Sequence, residues 1–386
     1  MDPMCIYILD LIMKEQYNKF SSIKDLVTKA KKIVSFTNNH GIVRDTFDVK
    51  SDLRLIKPAA TRFYTNYILL QRLCEVEAEL VATYSDPKVK KFIRTANSSV
   101  KATGQDVHTL ISDTFQEFWP QIRQLVNWWS PLVGVIRFTD RDSTGMSKLY
   151  LQIEKLKLDL SENPLPFLSE AETTRLLSMV ETRLNRCLTD FHYAAHLLDP
   201  RHHSLLPRMT EPMKKSLRRS LKKMLGADDG KSAFEEFASY REKSINTSYD
   251  ARDDMWDDVK NQSGRKWWSM YGNEDGMLKI AAMKLLSQTC SSGAAERNWS
   301  TFSIIQTKRR NRMKHDLLNM FVFVHTNMKL RQQQSQRNET EVEFPQWLED
   351  VLVHDTNSNE DDINDVTDVE DSEDNVIEDP FLVGSD

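Results

Sequence analysis

The sequence lacks the features of a secreted or membrane-spanning protein. Its 386 residues include four cysteines, Cys5, Cys74, Cys187 and Cys290, which lie far apart and show no CxxC or other metal-ligand spacing. Thiols spaced in this way are typical of reduced intracellular proteins. No apolar run approaches the roughly 20 residues that span a bilayer, and the first segment, MDPMCIYILDLIM, lacks the basic leader of a secretory signal. We therefore expect a soluble protein that is nuclear or, as the alternative, cytoplasmic.

The signatures of common enzyme classes are also absent from the sequence. It contains no phosphate-binding glycine loop, no nucleophile elbow and no kinase signature. His192 and His196 stand four residues apart on a predicted helix, with Asp199 one turn further, which is a ligand spacing for zinc. A tetrahedral site needs a third and a fourth ligand, and the neighbouring sequence does not clearly supply them. We expect no metal, no cofactor and no small-molecule substrate.

Basic residues are missing from the end of the chain. Residues 355–386 contain 13 acidic and no basic side chains. The other residues of the chain hold 44 acidic and 52 basic side chains, so their net charge is +8, whereas the net charge of the whole chain is −5. A mildly basic body fits contact with nucleic acid, although +8 over about 354 residues is a weak signal. Like charges repel one another and offer little apolar area to offset the cost of ordering. We expect a disordered tail over residues 336–386, whose acidic part is dispensable for folding.

Strand signals are few, and hydrophobic periodicity predicts a mostly α-helical protein. Residues 6–20 and 22–38 have the apolar spacing of amphipathic helices, the second with Ser21 or Ser22 as its N-cap. Residues 53–59 are the best strand candidate, and a long helix is predicted over residues 64–84. We therefore expect at most a minor sheet remnant, near residues 53–59.

The densest pattern in the chain begins at residue 277. The run MLKIAAMKLLSQTC repeats apolar residues at three and four positions, which predicts a helix with one buried stripe. Six small residues at positions 290–295 follow, and positions 308–314 then hold five cations in seven residues. This basic block has three interpretations: a solvated loop, a phosphate-binding patch or a nuclear localisation signal. The buried stripe consists of Leu278, Ala281, Ala282, Leu285 and Leu286.

Residues 316–330 are apolar on more than one helical face, so a helix there needs cover on two sides. One side can be covered by the chain's own domain and the other by a second copy, since isologous pairing is the commonest way to bury such a surface. Leu317, Phe321 and Val324 fall at i, i+4 and i+7, a stripe that we expect at a homodimer contact. The sequence does not decide which stripe faces the partner. The other apolar residues, which point elsewhere and can serve the chain's own core, are Leu318, Val322 and Phe323.

The chain resembles, in three segments, the C-terminal dimerisation region of hAT-superfamily transposases in the form common in plant genomes. These segments are WWSMYG, LKIAAMKLLSQTCSSGAAERNWSTFSIIQTKRRNRM and LNMFVFVHTNMKL, and the similarity runs nearly without gaps over residues 267–330. The resemblance implies a partial ribonuclease H-like remnant with a large all-helical insertion and a helical C-terminal dimerisation region. The implied domains are a truncated ribonuclease H-like core remnant (1–85), the helical insertion (86–275), the dimerisation region (276–335) and the acidic tail (336–386).

Transposases of this class hold two divalent metals with three carboxylates. In the resemblance, Glu296 matches the third of these acids, and the first would lie before Met1. The second acid would precede the segment in which Met4 and Tyr7 stand at the family's cysteine and histidine positions. A single carboxylate cannot hold a pair of hard cations, so we expect no catalysis. The interpretation of Glu296 that we favour is a carboxylate at the start of a helix, near the positive end of the dipole.

We therefore interpret the chain as a transposase-derived protein that acts through dimerisation and is not an enzyme. Its expected partners are a second copy or related hAT-like proteins, with DNA as a weak further partner. The alternative is a DNA-binding transposase whose N-terminal zinc finger and first catalytic acids are missing from this gene model. Trp267, Trp268 and Trp299 are expected to fill the core, with base stacking as the alternative role. The expected dimerisation residues are Glu296, Arg297, Trp299, Lys308, Arg310, Asn311, Arg312, Leu317, Phe321 and Val324.

Overall fold

The computed structural model describes residues 4–59, 62–112, 117–140, 144–245, 252–260, 262–290, 301–302, 305 and 314–336. These residues are mostly helical, which confirms the mostly α-helical part of the predicted fold class, and they form no strand. An isolated antiparallel bridge joins Thr144 to Thr289. Of two compact units, Met1–Glu341 and Val342–Asp386, the second lies outside the described residues, as does the predicted tail apart from residue 336.

The described helices fall into two groups in chain order. The first group is α1 (Met4–Lys19), α2 (Ser21–Asn39), α3 (Gly41–Asp48), α4 (Thr65–Glu75), α5 (Glu77–Ser85), α6 (Pro87–Thr95), α7 (Ser98–Ser112) and α8 (Phe118–Thr139). The second is α9 (Met146–Glu162), α10 (Glu170–Leu184), α11 (Asp190–Leu198), the 3₁₀ helix η1 (Pro200–Arg208), α12 (Glu211–Leu225), α13 (Ala227–Arg241), α14 (Arg252–Asp257), the 3₁₀ helix η2 (Asp258–Lys260), α15 (Gly264–Tyr271), α16 (Met277–Leu286) and α17 (His315–Gln336). No described helix is both long and apolar enough to cross a membrane.

The helices α1 and α2 lie where the apolar spacing predicts them, but the predicted N-cap of α2 is wrong. The capping position is Phe20, whose backbone is extended and whose side chain makes no capping hydrogen bond. Lys24 N donates to Phe20 O at 3.0 Å, so the first helical turn is already closed one residue before Ser21. Phe20 is buried, and its ring holds the start of α2 in the core through packing rather than capping.

The strand predicted over residues 53–59 is absent, and the segment has no regular secondary structure. Its apolar side chains Leu55 and Ile56 are buried, which explains the strand-like pattern. Its backbone groups bond to side chains instead of to a neighbouring strand: the Arg72 guanidinium donates to Arg54 O at 2.5 Å, and Leu53 N donates to the Ser51 hydroxyl at 3.2 Å. The described residues therefore contain no sheet remnant.

The long helix predicted over residues 64–84 is divided into α4 and α5. The break is at Val76, whose ψ of 23° departs from the helical value and whose side chain is buried. Asp10 on α1 accepts hydrogen bonds from Phe63 N at 3.1 Å and Tyr64 N at 2.8 Å, just before α4 begins. These bonds satisfy donors at the start of α4 that the helix itself leaves unpaired.

The helix α8 is central to the first part of the fold, because it packs on α1, α4 and α9. Trp129, which is fully buried, lies on α8 and donates from Nε1 to Gln16 Oε1 on α1 at 2.7 Å. A buried indole N–H needs such a partner. This bond joins two helices that are separated by more than a hundred residues in the sequence.

A second core forms among α9, α11, α12, α13, α15 and α16. The five-residue stripe predicted from residue 277 onward is wholly buried on α16, which confirms that prediction. Trp267 and Trp268 are fully buried, as expected for core fillers: their indole N–H groups donate to Met255 O at 2.8 Å and Leu198 O at 2.7 Å. Trp299 lies outside the described residues.

Glu236 on α13 fixes the start of α16. Its two carboxylate oxygens accept hydrogen bonds from Met277 N at 3.0 Å and Leu278 N at 3.1 Å, so a negative charge lies at the positive end of the α16 dipole. We expect Glu236→Ala to lower the free energy of unfolding by about 1–2 kcal/mol in urea titrations. The neighbouring exposed Glu235 is the matched control, since Glu235→Ala removes a charge but no cap. Equal effects of the two substitutions would contradict the capping role.

Candidate dimerisation surface

The helix α17 has one buried and one exposed face. Leu318 and Val322 are buried in the chain, at 1% and 6% exposure. Phe321 and Val324, on the other stripe, are about half exposed at 50% and 52%. The division between these faces is the one that the spacing of the sequence suggests. Phe323 departs from it, because it is 69% exposed and does not serve the chain's own core.

The position of Phe323 follows from helical geometry. A residue adjacent to Val322 lies about 100° further round the helix, which is enough to carry Phe323 away from the buried face. The sequence interpretation grouped the two because both are apolar neighbours. Burial on α17 is instead confined to the narrow sector that contains Leu318 and Val322.

Two residues that the sequence interpretation missed extend the exposed face. Met320 and Met328 are 64% and 66% exposed. Met328 continues the series 317, 321, 324 with a further step of four, a spacing typical of helix-pairing seams. The sequence contains this signal, although the predicted stripe ends at residue 324. We call the resulting surface the apolar stripe, and it consists of Leu317, Met320, Phe321, Val324 and Met328.

Asp199 lies between α11 and η1 in the chain, beside the start of α15. It is fully buried and accepts hydrogen bonds from Arg201 N at 3.1 Å and from the Arg201 guanidinium at 2.5 and 2.9 Å. Burial raises the pKa of the Asp199 carboxyl, but hydrogen bonds from Arg201 and Ser147 outweigh burial, so the pKa lies below its ordinary value. A methyl group at Gly264 would lie 2.8 Å from Asp199 Oδ1, so only glycine lets α15 begin here.

The three residues with zinc-like spacing do not converge on one point. His192 Nδ1 accepts a hydrogen bond from Thr189 N at 3.0 Å, at the start of α11. The ring of His196 instead stacks on His202, with centroids 4.7 Å apart. Asp199 is occupied by Arg201. Among the described residues, no group of three or more His, Cys, Asp or Glu side chains could hold a metal ion.

These histidines make folding sensitive to acid. Burial lowers the pKa of both His192 and His196 to about 4, with the nearby His202 as a second cause for His196. Because an unfolded histidine titrates near pH 6.5, the unfolded chain binds more protons below that pH. We expect stability to fall between pH 6.5 and pH 4, by roughly 3 kcal/mol per histidine, as measured by urea midpoints at a series of pH values.

The variant His192→Asn is the control for this pH dependence. Its amide oxygen can still accept the hydrogen bond from Thr189 N, but it has no proton to gain. The stability of this variant should therefore depend less steeply on pH than that of the parent. An unchanged slope would show that the buried His192 does not contribute to acid unfolding.

Several predicted site residues lie outside the described part of the chain. They are Glu296, Arg297, Trp299, Lys308, Arg310, Asn311 and Arg312. Of the predicted set, the structure therefore places Leu317, Phe321 and Val324, and it brings these three together on one face of α17.

Residues 248–328 match the family model of the hAT family C-terminal dimerisation region. The match covers about a fifth of the chain, so the chain contains a segment similar to this region of the hAT family. The search of curated proteins finds no match to the chain. The matched segment, here called the hAT region, contains α14, α15, α16 and most of α17, including the whole apolar stripe. It overlaps the predicted dimerisation region, residues 276–335, over positions 276–328.

Exposed apolar side chains are concentrated in the hAT region. Among the described residues, 14 large hydrophobic side chains are exposed, and eight of them lie in this region, which is about a fifth of the chain. Such concentration is the usual mark of an interaction surface, whereas singly scattered exposed residues are normal. The eight residues are Met270, Ile280, Leu317, Met320, Phe321, Phe323, Val324 and Met328.

Proposed function

We propose that this transposase-derived protein acts by pairing with a second copy of itself, or with a related hAT-like chain, through the apolar stripe of α17. The observation that carries the proposal is the two-faced burial of this helix. Leu318 and Val322 anchor one face, while the opposite face exposes apolar side chains inside a region that matches a dimerisation family. A symmetric contact buries each residue of the stripe twice, so the gain per residue is doubled.

Co-purification tests this self-association. Two copies of the full chain with different affinity tags are expressed together, and one tag is captured. We expect both tagged copies to be recovered in comparable amounts. Recovery of the captured copy alone would contradict homodimer formation, and adding a related hAT-like chain as the second partner would then test the heterologous form.

We further propose that the chain does not perform transposase catalysis by itself. The two-metal chemistry of strand cleavage requires several carboxylates around the metals, and the family pattern finds one counterpart in this chain, Glu296. We expect no nicking of supercoiled DNA with Mg²⁺ or Mn²⁺, as measured by the conversion of supercoiled to open-circular plasmid. Nicking that disappears in Glu296→Gln would contradict the proposal.

A second candidate function is contact with DNA, and the helix α12 favours it. Lys215, Arg218, Arg219 and Lys222 fall at i, i+3, i+4 and i+7 and form an exposed basic stripe, opposite the buried Leu217. Arg219 is engaged by Asp190 at 2.6 Å, and Arg218 lies over the ring of Phe234, so Lys215 and Lys222 are the cations of this stripe best placed to meet phosphates. Such contacts release counterions and make affinity depend on salt.

We also propose nuclear localisation, which the basic block at residues 308–314 supports.

Fluorescence anisotropy with a labelled duplex over a series of salt concentrations tests this second candidate. The double substitution Lys215→Ala with Lys222→Ala should reduce the salt slope by about two. The matched control replaces two exposed lysines of α2, Lys24 and Lys29, which lie away from α12 in the sequence. Equal slopes for both double variants would exclude α12 as the contact.

A further inference from the structure

We infer that the apolar stripe pairs with its copy in an antiparallel register, in which Leu317 of one chain faces Met328 of the other. This inference rests on the proposed self-association and specifies its geometry. The partner that binds the stripe is a second copy of this chain, because the stripe lies within the matched hAT region and its side chains complement those of a second copy.

The spacing of the stripe defines its layers. Positions 317, 321, 324 and 328 are separated by four, three and four residues, the alternation of a helix-pairing seam. The stripe has two types of position: 317 and 324 are followed by a step of four residues, and 321 and 328 by a step of three. When two such helices run antiparallel, each position packs against a position of the other type in the partner helix. One register satisfies every layer at once: 317 with 328, and 321 with 324, each formed twice by symmetry.

Side-chain volume favours this register over the parallel one. In the antiparallel pair, the two central layers each combine one phenylalanine with one valine, and the two outer layers each combine leucine with methionine. All layers are then of similar size, as close packing requires. A parallel pair would place Phe321 against Phe321 and Val324 against Val324, which crowds one layer and leaves a gap in the next.

Helix dipoles favour the antiparallel pair, whereas charge at the ends of the stripe does not separate the two arrangements. Arg331 continues the stripe by one step beyond Met328, so a parallel pair would bring two guanidinium groups face to face. In the antiparallel register, the same spacing places Arg331 opposite the partner's Lys314, which also brings two cations together. Antiparallel helices place opposite dipole ends together.

Cysteine cross-linking distinguishes the two registers in the full chain. Leu317→Cys and Met328→Cys are made separately, each at an exposed position that leaves the core intact. A disulfide requires Cα atoms about 4.4–6.8 Å apart, whereas in the antiparallel pair the two copies of residue 317 lie roughly 16 Å apart along the helix. The parent chain, oxidised in the same way, is the control for the four native cysteines, Cys5, Cys74, Cys187 and Cys290.

We expect a disulfide-linked dimer when the Leu317→Cys and Met328→Cys chains are mixed under mild oxidation. This dimer should be at least about tenfold more abundant than the dimer that either variant forms alone. Cross-linking of each variant to itself would overturn the antiparallel register and support the parallel one. A dimer in light scattering without any stripe cross-link would overturn the register while leaving self-association intact. A monomer in light scattering would overturn the proposed function as well, and circular dichroism confirms that each variant is folded.

Discussion

Replacing Phe321 by aspartate will weaken the dimer by at least about 100-fold while each chain remains folded. Phe321 lies at the centre of the apolar stripe and is half exposed, so the substitution does not open the chain's own core. Pairing would bury an unpaired carboxylate, which costs several kcal/mol. Sedimentation velocity over a range of concentrations measures the loss of dimer, and circular dichroism measures whether helicity is retained.

The adjacent substitution Val322→Asp is the matched control, because Val322 lies on the buried face. Its carboxylate would be placed inside the chain, so we expect a lower urea midpoint. If Phe321→Asp destabilised the chain and Val322→Asp dissociated the dimer, the assignment of the two faces would be reversed. If Phe321→Asp left the dimer affinity unchanged, the contact would lie outside this helix.

Replacing Trp268 by alanine will lower the free energy of unfolding by about 3–5 kcal/mol. Trp268 is fully buried, and its indole N–H donates to Leu198 O at 2.7 Å. Its ring also lies 5.1 Å from that of Tyr240 and 5.4 Å from that of Trp267. Removing it leaves a cavity and an unpaired buried carbonyl, a large loss against a total stability of about 5–15 kcal/mol.

Urea unfolding monitored by circular dichroism measures this effect, with Trp268→Phe as the control. Phenylalanine fills most of the cavity but cannot donate to Leu198 O, so its cost should be smaller than that of alanine. A loss of less than about 1 kcal/mol in Trp268→Ala would show that this indole does not hold the second core together.

Local periodicity is sufficient to predict where several helices lie, although not the break at Val76 between α4 and α5. The buried stripe of α16 and the two faces of α17 follow from apolar residues at three and four positions, because burial on one helical side imposes that spacing. The strand predicted over residues 53–59 is absent although two of its apolar residues are buried. The adjacent Leu55 and Ile56 pack in the core, but a strand also needs a partner strand, and the described residues provide none.

Contacts between distant segments could not be predicted from the sequence. Glu236 caps α16 from a position about 40 residues earlier, and no local pattern links the two. His196 stacks on His202 only because the chain turns at Asp199 into η1. The zinc-like spacing of His192 and His196 is visible in the sequence, whereas the partners that occupy these side chains are defined by the tertiary fold.

The apolar stripe was only partly predictable from the sequence. Its central residues, Phe321 and Val324, follow from helical spacing, while Met320 and Met328 are not part of the predicted stripe. Methionine is nevertheless common at adaptable contact surfaces. The exposure of Met328 in the folded chain extends the stripe to a fourth helical layer, and the exposed Met320 widens the stripe.

The molar mass of the full chain in solution tests the central claim, self-association through the hAT region, most directly. Size-exclusion chromatography with light scattering at micromolar concentration should give about twice the chain mass of 44.9 kDa. A species that stays at 44.9 kDa over the whole concentration range would contradict the account.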